Sequence, residues 1–379
     1  MRIGFVATGG FDRSGRDRIV PALVWLVEHL ARRGHDVHVF VLDYYPQPCS
    51  YALAGASVHD LGRVLAPPGL RRAAIGLRLA AALKERGPFD VLHGYLGIPA
   101  GVLTVRKGRE LGVPTVVSLD SGELVGIPDI AYGLQRRWLD RTLIARMLRD
   151  ATRITVCTEF MANLFSKLRP AAEAFDVTVP RIIPIGVDAT RFPHTTRPDG
   201  PPWRLVRVGS LNRVKDHETL LRAMRSAVNR LGDVHLDLVG EDTMDGDAQR
   251  LAGELNLAGH VTFHGVQPTD RVAALYSSAH LNIVSSRHEA ANVTVLEAAC
   301  SGLMTVGTAV GYVADWAEDK ASAVRVADPG ALAAAIVSAL LSRRTRQARA
   351  DAARRWALAH DAEWSARQFE RLYAQITGR

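Results

Sequence analysis

The chain has 379 residues, 47% of them hydrophobic, a net charge of +8 and three cysteines. That length suits two domains better than one core. No apolar run is long enough to span a bilayer, and Cys49, Cys157 and Cys300 are too few and too scattered for a disulfide framework or a cysteine metal site.

Lysine occurs only at positions 84, 107, 167, 215 and 320, so arginine spread along the chain supplies the charge. There is no basic run interleaved with aromatics, so a nucleic-acid partner is not expected. The excess charge favours anionic substrates or an anionic membrane face. The start Met1-Arg2 runs straight into an apolar strand, so no signal peptide is expected and the expected location is cytoplasmic.

In chain order, Ile3–Ala7 reads as a strand and Thr8–Gly15, with Gly9 and Gly10, as a flexible turn. Val20, Leu23, Val24, Leu26, Val27 and Leu30 mark an amphipathic helix. Gly34 ends it, and Val37–Leu42 is the next strand, giving a Rossmann-like βαβ opening. The unit lacks G-x-G-x-x-G, and only Asp43 stands near the end of the second strand, so a dinucleotide cofactor is not expected. Arg71 to Arg86 is a basic, Ala/Leu-rich helix whose outer face is expected to be solvated. Asp90–His93, Thr115–Leu119 and Arg153–Cys157 are further strands, and a helix begins at Glu159. Pro193–Pro202 reads as a stiff, exposed linker.

The second half repeats the plan. Trp203–Val208 is a strand, Gly209–Asp216 its loop, and Leu220, Leu221, Met224 and Val228 the apolar face of a helix. Lys215 stands at that helix's start, where a cation is unfavourable unless an anion is bound beside it. Val234–Gly240 and Val261–His264 are strands. Asp245-Gly-Asp247 has Asp-x-Asp metal spacing but lies in a polar loop, and no metal site is expected. Asp328–Leu341 is helical, and Asp351–Ile376 carries Trp356, Trp364, Phe369 and Tyr373. The expected domains are 1–190, a linker 191–202, 203–357, and a final helix 358–379.

The most informative stretch is Ser285 to Gly302. Leu281–Val284 before it is a short buried strand, and Met304–Gly307 after it another, with tight turns expected at Gly307 and Gly311. Between them Val293, Leu296, Ala299 and Cys300 follow helical spacing, with Asn292 placed as N-cap and Gly302 as C′ glycine. Glu289 then falls in the loop and Glu297 in the second turn. The free N–H groups near Ala291, Asn292, Val293 and Thr294, with the helix dipole, favour an anion such as a diphosphate. Two acids flanking that anion could hydrogen-bond hydroxyls on either side of it, as a nucleotide-sugar presents them. Taken alone, two glutamates eight positions apart are common and could both be solvated.

The wider pattern resembles the Glu-x7-Glu signature of retaining glycosyltransferases with the GT-B fold, family 4 in particular. Glu289, Leu296-Glu297-Ala298 and Gly302 match it, while Ala290-Ala291-Asn292 replaces the family's Gly-Phe-Gly. Pro184 to Phe192 resembles the family's Pro-x-Gly-Val-Asp hinge. Gly209-Ser210-Leu211 through Lys215 resembles its Gly-Arg-Leu-x-x-x-Lys motif, with Ser210 in place of the arginine. The resemblance implies an α/β GT-B chain: two Rossmann-like domains facing each other across a cleft, the last helix crossing back to the first, where Trp356, Trp364, Phe369 and Tyr373 would pin it.

It also implies a set of roles. Glu289 and Lys215 are the catalytic pair. Glu297 binds the nucleotide ribose. Beyond what the resemblance implies, the charge missing at Ser210 is expected from Arg213 or from Arg207, although alternation along the strand could as easily face Arg207 to solvent. Gly265, Val266 and Gln267 lie near the base. Gly9 and Gly10 lie near donor and acceptor, or form only a tight turn. Asp120 occupies a place where relatives carry a histidine. The partners implied are a nucleotide-diphosphate-sugar donor and an unidentified acceptor, which a membrane lipid could carry and which loops such as Gly9–Arg18 and Tyr44–Tyr51 are expected to contact. No cofactor or metal is implied. The alternatives are a nucleotide-sugar epimerase and a non-catalytic nucleotide-sugar-binding protein.

Overall fold

Continuous apolar runs make strands buried on both faces, the pattern of parallel sheets covered by helices. The computed structural model describes residues 1–16, 18–168 and 179–379. It divides into two units, Met1–Gly186 with Ala362–Arg379, and Val187–Asp361.

The first unit runs β1 (Arg2–Ala7), α1 (Pro21–Arg32), β2 (Asp36–Val41), β3 (Cys49–Leu53), β4 (Ala56–Asp60), α2 (Pro68–Arg86), β5 (Val91–Tyr95), α3 (Val102–Leu111), β6 (Thr115–Leu119), α4 (Trp138–Asp150), β7 (Arg153–Val156), α5 (Glu159–Leu168) and β8 (Arg181–Ile182). Its sheet has the order β3-β4-β2-β1-β5-β6-β7-β8. All pairs are parallel except the β3–β4 hairpin. Direction along the sheet reverses between β1 and β5, and crevices for ligands form at the carboxyl ends of strands at such a point.

The second unit runs β9 (Trp203–Val208), α6 (His217–Leu231), β10 (Val234–Val239), α7 (Asp247–Glu254), β11 (Val261–Phe263), α8 (Thr269–Ser278), β12 (Leu281–Val284), α9 (Val293–Cys300), β13 (Met304–Thr308), α10 (Gly311–Asp315), β14 (Ala321–Val324), α11 (Pro329–Leu341) and α12 (Arg343–Ala359). Its sheet is parallel, in the order β11-β10-β9-β12-β13-β14, and reverses between β9 and β12. Leu205, Leu220, Met224, Leu236, Ile283, Val306 and Ile336 are fully or almost fully buried in its core.

The last helix, α13 (Ala362–Thr377), belongs to the first unit and packs on α1. Ser365 Oγ donates to the Pro184 carbonyl at 2.7 Å and accepts the Gly186 N–H at 2.8 Å. Tyr373 Oη and His93 Nδ1 share a buried hydrogen bond of 2.6 Å.

Three expectations change. The linker is not simply exposed: Arg197 donates to the carbonyls of Tyr276, Ser277, Ser301 and Gly302, and Phe192 is buried. A guanidinium can satisfy several carbonyls at once, which the proline-rich composition did not convey. The terminal aromatics do not act together. Trp356 packs edge-to-face with Trp316 and Tyr312 in the second unit, whereas the aromatics of α13 belong to the first. Finally, part of the expected 44–51 loop is strand β3, paired through the Ala54-Gly55 turn to β4.

Candidate active site

The carboxyl ends of β9 and β12, the two strands at the reversal of the second sheet, carry the two motifs. The β9 loop closes as a single helical turn, Arg213–Lys215, with the Asn212 side chain accepting the Lys215 N–H at 3.1 Å. The β12 loop is pinned to it: Ser285 Oγ donates to the Lys215 carbonyl at 2.7 Å, and Arg287 N–H donates to the Val214 carbonyl at 2.8 Å. These ties bring Lys215 and Glu289 together across 74 residues. Lys215 Nζ donates to both Glu289 oxygens, at 2.6 and 2.8 Å.

Glu289 is buried, 8% exposed, and well supplied with donors. Ser286 Oγ donates at 2.6 Å and Asn292 Nδ2 at 3.3 Å, and an Arg207 guanidinium nitrogen lies at 3.9 Å. Burial pushes its pKa up, but the Lys215 and Arg207 charges and the bonds from Lys215 and Ser286 outweigh that and hold it below the usual range. It is therefore a fixed carboxylate.

Arg207 is 1% exposed, though strand alternation allowed it to face solvent. Arg204, at the start of β9, is exposed, but from Leu205 to Arg207 this central parallel strand is covered on both faces, so alternation does not apply there. Its guanidinium donates to the Val208 carbonyl at 2.6 Å and to Ser286 Oγ at 3.1 Å. Arg213 lies exposed on the helical turn. Gly209, at φ +145°, passes close to Arg207: a Cβ there would stand 3.2 Å from the guanidinium. Ser210 follows, half-buried.

Glu297 is the second acid, buried in α9, with Tyr276 Oη donating to it at 3.2 Å. No cation offsets its burial, and its pKa is pushed up to about 7. Ala291 and Asn292 are buried ahead of α9. Asn292 sits at the expected cap position with φ +68°, but its side chain does not cap the helix. It donates to Glu289 and accepts from Thr294 Oγ1 at 2.6 Å. The sequence gives no means of choosing between these bonds, because Asn can act locally either way. Gly302 ends α9 at φ +78°, with its N–H on the Ala299 carbonyl and that of Leu303 on Ala298.

Gly265 takes φ +65° in an open loop and its carbonyl accepts the Gly240 N–H at 2.9 Å, while Val266 is exposed. Asp247 of the Asp-x-Asp segment is paired with Arg250. Sequence reasoning gave no role to Tyr276 or Ser286, and read Gly311 only as a turn. Gly311, at φ +51°, has the Ala291 carbonyl 2.5 Å and Glu289 Cβ 3.2 Å from where its own Cβ would be. Close support of this kind leaves no signal in spacing.

In the first unit, Gly10 takes φ +86° and its carbonyl accepts the Val20 N–H at 3.0 Å. Tyr44 packs over Gly9. Asp17 of the expected acceptor loop Gly9–Arg18 lies outside the described residues. Asp12 ties this turn down, accepting from Tyr45 Oη at 2.8 Å, Tyr44 Oη at 3.2 Å and Arg18 at 3.1 Å. Asp120, just after β6, accepts a short hydrogen bond from the Tyr95 phenol and another from the buried Cys157 thiol. Burial raises its pKa. Beside it Glu123, which the sequence did not single out, accepts the N–H groups of Gly97 and Ser121 at 2.9 and 2.8 Å.

Known proteins resemble this chain in sequence and in fold. Residues 189–356 match the model for "Glycosyl transferases group 1", and residues 19–180 that for "Glycosyl transferase 4-like domain". The D-inositol 3-phosphate glycosyltransferase of Mycolicibacterium gilvum is 28% identical over 316 residues, covering 74% of this chain and 67% of the relative. Sucrose-phosphate synthase from Thermosynechococcus elongatus superposes with a TM-score of 0.80 at 20% identity, covering all of both chains. Anabaena HepE, solved in complex with UDP-glucose, gives 0.74 at 15% identity, covering 99% of this chain and 100% of that one. Two Rossmann-like units with these neighbours define the GT-B architecture. Within that architecture, the chain belongs to the glycosyltransferases of the family 4 type.

Proposed function

We propose that this chain is a retaining glycosyltransferase that moves a sugar from a nucleotide-diphosphate sugar to an acceptor without a bound metal. The carrying observation is the Lys215–Glu289–Arg207 cluster at the head of α9, on the reversal of the second sheet, with Glu289 and Arg207 buried and Lys215 partly exposed. The relative's name, glycosyltransferase, and the UDP-glucose held by HepE support a nucleotide-sugar donor.

Lys215 is the half-exposed cation of the cluster, and with the N-terminus of α9 it neutralises the leaving diphosphate. Arg213, exposed on the same turn, is the second cation within reach of that anion. Arg207 is too deeply buried to touch it; it positions Glu289 instead, through charge and Ser286. Glu289 stays ionised and accepts from hydroxyls of the donor sugar, which orients the anomeric carbon. Glu297 accepts from the ribose, and Gly265 and Val266 lie beside the base. The acceptor attacks from the face the diphosphate leaves, and a phosphate oxygen takes its proton. Asp120 and Gly9 serve the acceptor side, and Gly10 the donor.

The test is incubation with UDP- and GDP-sugars and an acceptor panel that includes lipid-linked glycans, with the product anomer read by NMR. The proposal expects transfer with the donor's anomeric configuration kept. An inverted product refutes retention, and donor binding without transfer to any acceptor refutes the catalytic role.

A further inference from the structure

A second cavity, of about 560 Å3, opens in the first unit between the β3–β4 hairpin and α2. That size suits a small organic ligand. Its position follows from strand register: Cys49 pairs with Asp60, and Ser50 with His59. Arg78 and Arg86, two turns apart on α2, form the opposite wall.

The lining is built rather than incidental. Asp60 is 2% exposed, with Oδ1 accepting the N–H groups of Gly62 at 2.8 Å and Tyr45 at 3.2 Å. Its other oxygen, Oδ2, is buried without a partner. A carboxyl oxygen left so is costly unless something else bonds it. His59 is locked by Ser50 Oγ at 2.9 Å and His38 Nδ1 at 3.0 Å. Arg78 donates through Nη1 to the carbonyls of Leu61, Gly62 and Arg63, which fixes its guanidinium at the wall. Glu85 also lines the cavity and pairs with Arg86 at 2.9 Å, an exposed pair that a bound phosphate has to displace. With that exchange the cavity offers two guanidinium groups for an anion, and a carboxyl oxygen and a serine hydroxyl for hydroxyl groups.

We propose that this cavity is an accessory ligand site for a small hydroxylated anion of the sugar-phosphate class, its phosphate facing Arg78 and Arg86 and a hydroxyl bonding Asp60. It is independent of the donor reading, since all of its residues lie in the first unit and none belongs to the Lys215–Glu289 cluster.

Cys49 provides the probe. It lines the cavity and is half-buried, whereas Cys157 and Cys300 are buried, so a thiol reagent reads Cys49 in the native protein. Labelling rates are compared with glucose 6-phosphate, inorganic phosphate and glucose, each up to about 10 mM, the weak end of useful affinity. Glucose 6-phosphate is expected to slow labelling by about twofold or more, further than either fragment, as occupancy above half requires. Arg86→Ala and Asp60→Asn are each expected to remove that protection. Glu289→Gln is expected to keep it, which separates this site from the transfer site. Unchanged labelling with glucose 6-phosphate overturns the proposal. Equal protection by phosphate or by glucose alone overturns the ligand class, and protection surviving in Arg86→Ala overturns the assignment of the anion to the α2 arginines.

Discussion

Glu297→Gln should make the protein more stable and a worse enzyme. The native carboxyl keeps its proton to about pH 7, against an ordinary value of 4.5, because it is buried with only the Tyr276 phenol for company. An acid whose folded pKa is raised destabilises the fold as pH rises through the interval between the two values, since the unfolded chain has already released its proton. The interval of 7 − 4.5 = 2.5 units is worth about 3 kcal/mol at 1.36 kcal/mol per unit. Glutamine keeps an acceptor for Tyr276 and carries no charge. At pH 8 the variant should therefore unfold later in urea by up to about 3 kcal/mol, and the gain should shrink toward zero as pH falls to about 4. Donor affinity should move the other way, falling about 10- to 100-fold at pH 8, the worth of one hydrogen bond to a charged group. Parallel pH–stability curves for the two proteins would refute the reasoning.

The other perturbations concern the rest of the cluster. Lys215→Ala and Glu289→Gln should each cut transfer by about 100-fold or more in a steady-state assay. Lys215→Ala should also lower stability by about 2 kcal/mol in urea, the cost of a broken buried pair discounted for the partial exposure of the ammonium. Arg207→Met should raise the Glu289 pKa, so the acid limb of the pH–rate profile should move up while KM changes little; an unmoved limb argues against a positioning role. Gly311→Ala should lower both stability, by more than about 1 kcal/mol, and transfer, because its Cβ would meet the Ala291 carbonyl 2.5 Å away. Intact transfer in a stable Gly311→Ala protein would separate that turn from the site.

Much of this was legible in the sequence, for identifiable reasons. Parallel strands announce themselves as apolar runs, so Thr115–Leu119 and Leu281–Val284 were readable to the residue. The β3–β4 hairpin was not, since β3 alternates only weakly at a sheet edge and its turn is Ala54-Gly55 rather than Asn-Gly. Glu289, Glu297 and Lys215 stood out by spacing and by helix-end electrostatics. What spacing cannot carry is partnership across the fold. The 3.9 Å approach of Arg207 to Glu289, the Tyr276 bond to Glu297 and the closeness of Gly311 to Ala291 arise only when β9, α8, β12 and α10 come together. Asn292 shows the limit at short range, where the right position came with a different set of bonds.

The central claim is that the Lys215–Glu289 pair receives a nucleotide diphosphate. It is tested most directly by calorimetric titration of UDP and GDP into the wild-type protein and into Lys215→Ala. The account predicts saturable binding of one nucleotide to the wild type, weakened about 100-fold or more in the variant by loss of the ammonium from a partly buried anion site. Equal affinities in the two proteins would contradict it.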